Sequence, residues 1–158
     1  MTEAPEINAD FRDMMEALVE AGARFVVVGA HALAAHGVPR ATGDFDLFVE
    51  PTAANARRVL AALAAFGAPI GAHQISETDL TTPGLVYQIG LPPRRIDILT
   101  SIDGVTFDQA WAGHLDVELD RLRVPVLGRA ELIANKLATG RPKDRGDLDL
   151  LRKQSGEL

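Results

Sequence analysis

The sequence predicts an α+β protein in which helices pack on a small mixed β-sheet. Segments with helical hydrophobic periodicity alternate with short β-branched runs along the chain. Some connections between these runs are short enough to be hairpins, which a purely parallel sheet lacks. With 158 residues, 47% hydrophobic and 24% charged, the chain has an ordinary globular composition, and we expect one domain over residues 1–158.

The first part of the chain predicts three helices and two strands. An apolar stripe that starts after Asn8, a good capping residue, is typical of a helix. The run RFVVV is typical of a buried strand, and Ala-rich sequence follows it. In chain order the predicted elements are helix 9–20, strand 24–28, helix 30–36, strand 43–49, and a helix from Thr52 to Gly67.

The second part predicts four more strands and three more helices. The predicted elements are a loop over 68–83, strands in LVYQIGL and RRIDILT, a helix over 106–112, strands in LDVEL and LRVPVL, a helix in RAELIANKLAT, and a last, shorter helix in KDRGDLDLLRK. Proline cannot donate a ladder hydrogen bond, so we expect Pro125 on an edge strand.

The overall charge limits the classes of partner. Net charge is −6 at pH 7, so bulk electrostatics disfavours coating of a nucleic-acid backbone, although local phosphate binding remains open. The chain has no cysteine, which excludes disulfides and thiolate metal sites. The acidic start lacks the features of a signal peptide, and the most apolar stretch is too short and polar to span a bilayer. We expect a cytoplasmic protein without membrane contact.

Two predicted strands carry aspartates among apolar residues. Asp44 and Asp46 alternate with Phe45 and Leu47, so their side chains share one face, with Cα atoms roughly 6.7 Å apart. Asp97 has the same context in RRIDILT. If these strands pair, three carboxylates converge, and a hard cation such as Mg²⁺ would relieve their repulsion. The alternative is a solvent-facing set of acids on an amphipathic strand.

The segment before the acidic strand favours the first interpretation. It has the order strand, glycine turn, short helix, loop and acidic strand in VVVGAHALAAHGVPRATGDFD. Glycine lets backbone N–H groups approach a ligand closely, and a helix N-terminus favours an anion. A phosphate-binding turn beside metal-binding carboxylates is what phosphoryl or nucleotidyl transfer requires.

This stretch resembles the signature of the DNA polymerase β–like nucleotidyltransferase superfamily. Gly29 matches the first residue of its small-residue pair, Asp44 and Asp46 match its metal-binding pair, and Asp97 looks like its third acid. The longer stretches GAHALAAHGVPRATGDFDLFV and LIANKLATGRPKDRGDLDLL look like small bacterial members, some of which serve in toxin–antitoxin modules. The resemblance implies a mixed sheet flanked by helices, with a nucleoside triphosphate and Mg²⁺ as ligands.

The resemblance extends to phosphate-binding residues, with one departure. The second small residue is Ala30 where the family has Gly or Ser, so its N–H can serve but a hydroxyl contact is missing. We expect Arg40, on the loop before the acids, to contact phosphate or substrate. Lys136 either covers the core with its stem or neutralises phosphate. A third basic group is either a solvated loop or a phosphate rim: Arg141, Lys143 and Arg145.

Three functions remain open from sequence. The first is Mg²⁺-dependent transfer of a nucleotidyl group to a hydroxyl, with Asp44, Asp46 and Asp97 holding metal and Asp97 helping to deprotonate the acceptor. The second is a nucleotide-binding regulatory or antitoxin module with weak or no catalysis. The third is a glycosyltransferase that uses Asp-x-Asp for metal. A protein hydroxyl, an RNA 3′ end and a small molecule all remain possible acceptors.

Overall fold

A mixed sheet forms the centre of the fold in the computed structural model, which describes residues 8–38 and 43–154. Its strands within these residues are β1 (Phe25–Val28), β2 (Phe45–Val49), β3 (Val86–Ile89), β4 (Ile96–Leu99), β5 (Leu115–Leu119) and β6 (Leu122–Val126). The helices are α1 (Ala9–Glu20), α2 (Gly29–Ala35), α3 (Ala53–Phe66), α4 (Phe107–Gly113), α5 (Arg129–Thr139) and α6 (Pro142–Gln154), with a 3₁₀ turn at Asp79–Thr81.

The strand order is β3-β4-β2-β1-β6-β5, and both pairing directions occur. The pairs β1–β2, β3–β4 and β5–β6 are antiparallel, whereas β1–β6 and β2–β4 are parallel. The predicted α+β class with a mixed sheet is therefore confirmed. Because β2 and β4 are neighbours, Asp46 and Asp97 lie on adjacent strands.

Helices cover both faces of the sheet around β2. On one face, Phe11 of α1 stacks on Phe45 with ring centroids 4.8 Å apart. On the other, Phe48 meets Phe107 of α4 edge to face at 5.2 Å. By strand alternation Asp46 shares its face with Phe48. The acids therefore lie at the end of a covered face, which argues against the solvent-facing alternative.

Local sequence explains most helix boundaries. Asn8 accepts a hydrogen bond from the backbone of Asp10 at the start of α1, and Thr52 caps α3 in the same way. Gly67 and Gly140 end α3 and α5 in the left-handed conformation, as glycine C-caps do. None of the helices in the described ranges has the length and apolar character needed to cross a membrane.

Three expectations about the elements are wrong. Pro125 lies in β6, an interior strand, where proline is tolerated because β6 meets β1 at a single register pair, Val27 with Val126. Strand β2 begins at Phe45, so Asp44 precedes the strand. Helix α6 has 13 residues and α5 has 11, so the last helix is not the shorter one.

Candidate active site

The three predicted acids lie together at one end of the β2–β4 pair. Asp46 and Asp97 are register partners on parallel strands, so their side chains stand next to each other on one face of the sheet. Asp44 lies two residues before Asp46, and Asp97 is 8% exposed. The structure thus brings Asp44, Asp46 and Asp97 into one acid cluster, while their metal-binding roles stay a prediction.

Arg95 ties two members of the acid cluster together. Its Nη2 lies 2.9 Å from Oδ2 of Asp44, and its Nε donates to Oδ1 of Asp97 at 2.8 Å. A second guanidinium bond reaches Oδ2 of Asp97 at 3.2 Å, and the backbone N–H of Arg95 donates to Oδ1 of Asp44 at 3.3 Å. Sequence reasoning missed Arg95, although a basic residue two positions before Asp97 on a strand shares its face.

The electrostatics of the acid cluster centre on Asp46. Burial, together with the negative charges of Asp97 and Asp44, raises the pKa of Asp46 to about 6, against the opposing charge of Arg95. Among the described residues, Arg95 bonds to two of the three carboxylates, and its single charge leaves an excess of negative charge when all three are ionised. Such a cluster is stabilised by an additional cation.

The acid cluster has the ligand atoms that suit Mg²⁺, but Arg95 already bonds to several of them. Carboxylate oxygens are the ligands that Mg²⁺ prefers. In the described parts of the chain, however, no group of three or more His, Cys, Asp or Glu side chains is arranged so that it could hold a metal ion. Arg95 bonds to both oxygens of Asp97 and to Asp44, so these carboxylates point to the guanidinium rather than to a common centre.

Gly29 lies directly beside the acid cluster. It starts α2 with φ +70°, and a Cβ at this position would lie 2.6 Å from Oδ2 of Asp46. The preceding residue, Val28, has no side chain that can cap the first turn of α2. The close approach and the positive φ both require glycine here. A larger residue would displace Asp46, so Gly29→Val would disturb the acid as well as any phosphate contact.

His31, in the first turn of α2, packs against the core instead of the acid cluster. Its ring meets Phe11 and Phe45 edge to face, with centroids 5.5 and 4.8 Å away. Burial lowers its pKa, and a backbone hydrogen bond with Gly43 partly opposes this shift. His31 is therefore a neutral packing residue near neutral pH.

Lys136 is buried in an ion-pair network between α5 and α6. Its Nζ lies 3.2 Å from Oδ1 of Asp144 and 3.2 Å from Oδ2 of Asp147, and both aspartates are fully buried. Burial lowers the pKa of Lys136, which the hydrogen bond and charge of Asp144 oppose. These contacts differ from both interpretations of Lys136 from sequence, because the amine neither reaches solvent nor stands free beside the acids. Its predicted phosphate-binding role is untested.

Arg141, next to the start of α6, joins this network. Its Nε and Nη2 form a fork on Asp144 at 2.8 and 3.2 Å, while its side chain is 56% exposed. Hydrogen bonding to Asp144 raises the pKa of Arg141, and the charges of Asp103 and Asp46 add to this. Arg40, the other cation predicted to contact phosphate, lies outside the described residues.

Comparison with known proteins identifies first the class and then the family. The fold is similar to that of a Thermotoga maritima protein of solved structure, provisionally described as a nucleotidyltransferase. The TM-score is 0.58 and the identity 18%, over 93% of this chain and 91% of that chain. At this identity the similarity establishes the shared fold alone.

The family follows from the sequence as a whole. Residues 7–158 match the family described as "Nucleotidyl transferase of unknown function (DUF2204)", and the chain belongs to this family. No curated protein is significantly similar to it. The resemblance drawn from Gly29 and the acids is thereby confirmed at the level of a nucleotidyltransferase. Family membership does not support the glycosyltransferase alternative.

Proposed function

We propose that this chain is a Mg²⁺-dependent enzyme that moves a nucleotidyl group from a nucleoside triphosphate to an acceptor hydroxyl. One observation carries the proposal. The carboxylates of Asp46 and Asp97 stand side by side on neighbouring parallel strands, next to the glycine turn at Gly29. Acids and an anion-binding turn at one sheet end are the two parts that nucleotidyl transfer needs.

Each residue of the site has a distinct task in this proposal. Asp44, Asp46 and Asp97 would hold Mg²⁺, which would neutralise charge on the triphosphate and polarise the phosphoryl oxygens. The backbone N–H groups of Gly29 and Ala30 receive phosphate oxygens, as at other helix N-termini. The acceptor oxygen forms a bond to the α-phosphorus, the bond to pyrophosphate breaks, and Asp97 takes the acceptor proton.

The cations around the acids bind the rest of the triphosphate in this proposal. Arg40 remains the candidate from the loop before β2. Lys136 would have to exchange Asp144 and Asp147 for phosphate, which makes it a costly ligand. Arg141 is the more accessible cation, because its fork on Asp144 fixes its position while more than half of its side chain is exposed.

The position of the label in the substrate tests the proposal. The protein is incubated with Mg²⁺, a lysate of the source cell, and each nucleoside triphosphate labelled on either the α- or the γ-phosphate. We expect the α label on an acceptor and the γ label in pyrophosphate, with the acceptor class identified as protein, RNA or small molecule. Asp46→Asn should abolish transfer, whereas Asp149→Asn, the same change on the exposed face of α6, should not.

Absence of α-label transfer from every triphosphate would contradict the proposed enzyme. A second candidate then remains, a nucleotide-binding regulatory module, for example one that pairs with a toxin or an antitoxin. Ala30, which lacks the hydroxyl of a serine, and the engagement of Asp44 and Asp97 by Arg95 favour it. Its signature is a rise in melting temperature with Mg²⁺ and triphosphate without any transfer of label.

A further inference from the structure

Arg95 bonds to carboxylates that the proposed metal site would use. The guanidinium uses Oδ2 of Asp44 and both oxygens of Asp97. These two acids are predicted metal ligands, so the inference below rests on the proposed function. A guanidinium that donates to a carboxylate occupies lone pairs of its oxygens and places a positive charge beside them, so it weakens the binding of a metal ion to the same carboxylate.

The position of Arg95 allows such an exchange. It lies one residue before β4, and its backbone carbonyl accepts the N–H of Phe45 at 2.8 Å, a bond that stays when the side chain turns away. Its side chain is 25% exposed, which leaves it a route to solvent. Asp97 is held more firmly, since it lies within β4 and pairs in register with Asp46. The arginine is therefore the partner that can leave, and the acids are the partners that stay.

We propose that Arg95 is an intramolecular counter-cation that competes with a divalent cation for Asp44 and Asp97. Arg95 holds the carboxylates together while they lack a metal, and metal binding releases the guanidinium from both. Metal affinity is then set partly by the strength of the arginine contacts. The released guanidinium stands at the rim of the acid cluster, where an incoming triphosphate carries compensating negative charge.

Binding of Mn²⁺ without nucleotide tests this competition. Calorimetric or spin-resonance titration compares the wild type with Arg95→Gln and with Arg94→Gln, its exposed neighbour. Both variants remove one positive charge from nearly the same place, so long-range attraction of the metal rises equally. Only Arg95→Gln also removes the contacts to the acids, so its Mn²⁺ affinity should exceed that of Arg94→Gln by about tenfold or more.

Two further comparisons keep the test decisive. Arg95→Lys keeps the charge but loses the fork, and it should tighten Mn²⁺ binding several-fold, while Arg94→Lys should match the wild type. Melting curves of Arg95→Gln should show a loss of stability without metal and a larger Mn²⁺-induced rise than in the wild type.

The possible failures are distinguishable. Equal Mn²⁺ affinities for Arg95→Gln and Arg94→Gln, with clear binding by the wild type, would overturn the competition and leave the proposed function intact. An Arg95→Lys affinity equal to that of the wild type would overturn the competition as well. If none of these proteins bound Mn²⁺, the metal site of the proposed function and this inference would fail together.

Discussion

At the scale of single residues, Asp46 is the acid whose ionisation the fold opposes. It is partly buried in β2, next to Asp97 and close to Asp44, and its pKa is raised to about 6, above the ordinary value of 3.8. In the unfolded chain this carboxyl ionises at its ordinary value. The protonated form therefore stabilises the fold relative to the ionised form, and the site keeps a carboxylate in a position that costs stability near neutral pH.

Replacement of this carboxyl should make stability less dependent on pH. The contribution of protonated Asp46 is fully present below about pH 4 and is lost as pH rises through about 6. Asp46→Asn stays neutral, so we expect it to be more stable than the wild type by about 3 kcal/mol at pH 8, and equally stable near pH 4. Urea unfolding across this pH range measures the difference.

The exposed acid Asp149 provides the control for this prediction. Asp149→Asn removes a carboxyl from the exposed face of α6, and it should change stability little at any pH. A loss of stability in Asp46→Asn at pH 8 would show that the carboxylate is favourable in the fold. The proposed repulsion within the acid cluster would then be wrong.

At the scale of elements, the junction of α5 and α6 depends on buried charge. Asp144 is 0% exposed, and burial opposes its ionisation, but hydrogen bonds from Arg141, Thr139 and Lys136 outweigh this and hold its pKa below the usual range. Asp144 also accepts the backbone N–H of Arg141 at the start of α6. One carboxylate thus joins the end of α5 to the first turn of α6.

Removal of the lysine in this network should destabilise the junction. Lys136→Met keeps the length of the side chain but leaves Asp144 and Asp147 without their shared cation, at a cost of about 3–5 kcal/mol. Lys143→Met makes the same substitution at an exposed position and should cost less than about 0.5 kcal/mol. Equilibrium unfolding of both variants, at a pH where the wild type is stable, measures the two costs.

The result also bears on the phosphate-binding role predicted for Lys136. A purely structural lysine leaves triphosphate affinity unchanged in the folded fraction of Lys136→Met. If stability stayed at the wild-type level while triphosphate affinity fell, the ion pairs with Asp144 and Asp147 would be dispensable. The lysine would then serve the ligand.

At the scale of the whole molecule, net charge separates the possible acceptors. The chain carries 16 basic and 22 acidic residues, and its sequence pI is about 5.1. Non-specific affinity for nucleic acid comes mainly from neutralised phosphates, which an acidic surface does not supply. An RNA acceptor would therefore have to be bound locally, near its reacting end, without help from the rest of the surface.

Affinity for single-stranded RNA should accordingly be weak. We expect a labelled RNA of about 20 nucleotides to bind more weakly than about 10⁻⁴ M at physiological salt, below the usual range of non-specific binding. Fluorescence anisotropy at two salt concentrations measures both the affinity and its salt dependence. Micromolar binding that weakens steeply with salt would reveal a basic groove and favour an RNA 3′ end as acceptor.

The sequence by itself determined the positions of the helices and indicated the class of protein. Periodicity and caps located the helices, because helical hydrogen bonds and capping contacts are local in the chain. Asp44, Asp46 and Asp97, with a glycine after the first strand, carried the resemblance to a nucleotidyltransferase superfamily from which the class of protein was predicted. These signals depend on neighbours within a few residues, so one sequence contains them.

Only the tertiary structure decided which groups meet. The pairing of β2 with β4 joins positions about fifty residues apart. Pro125 was wrongly expected on an edge strand because local propensity does not determine the order of strands in a sheet. The fork of Arg95 on the acids and the burial of Lys136 between two aspartates likewise depend on how strands and helices pack. An ion pair forms only when two side chains are close in space. For Arg95 that closeness comes from the pairing of β2 with β4, and for Lys136 it comes from the packing of α5 on α6.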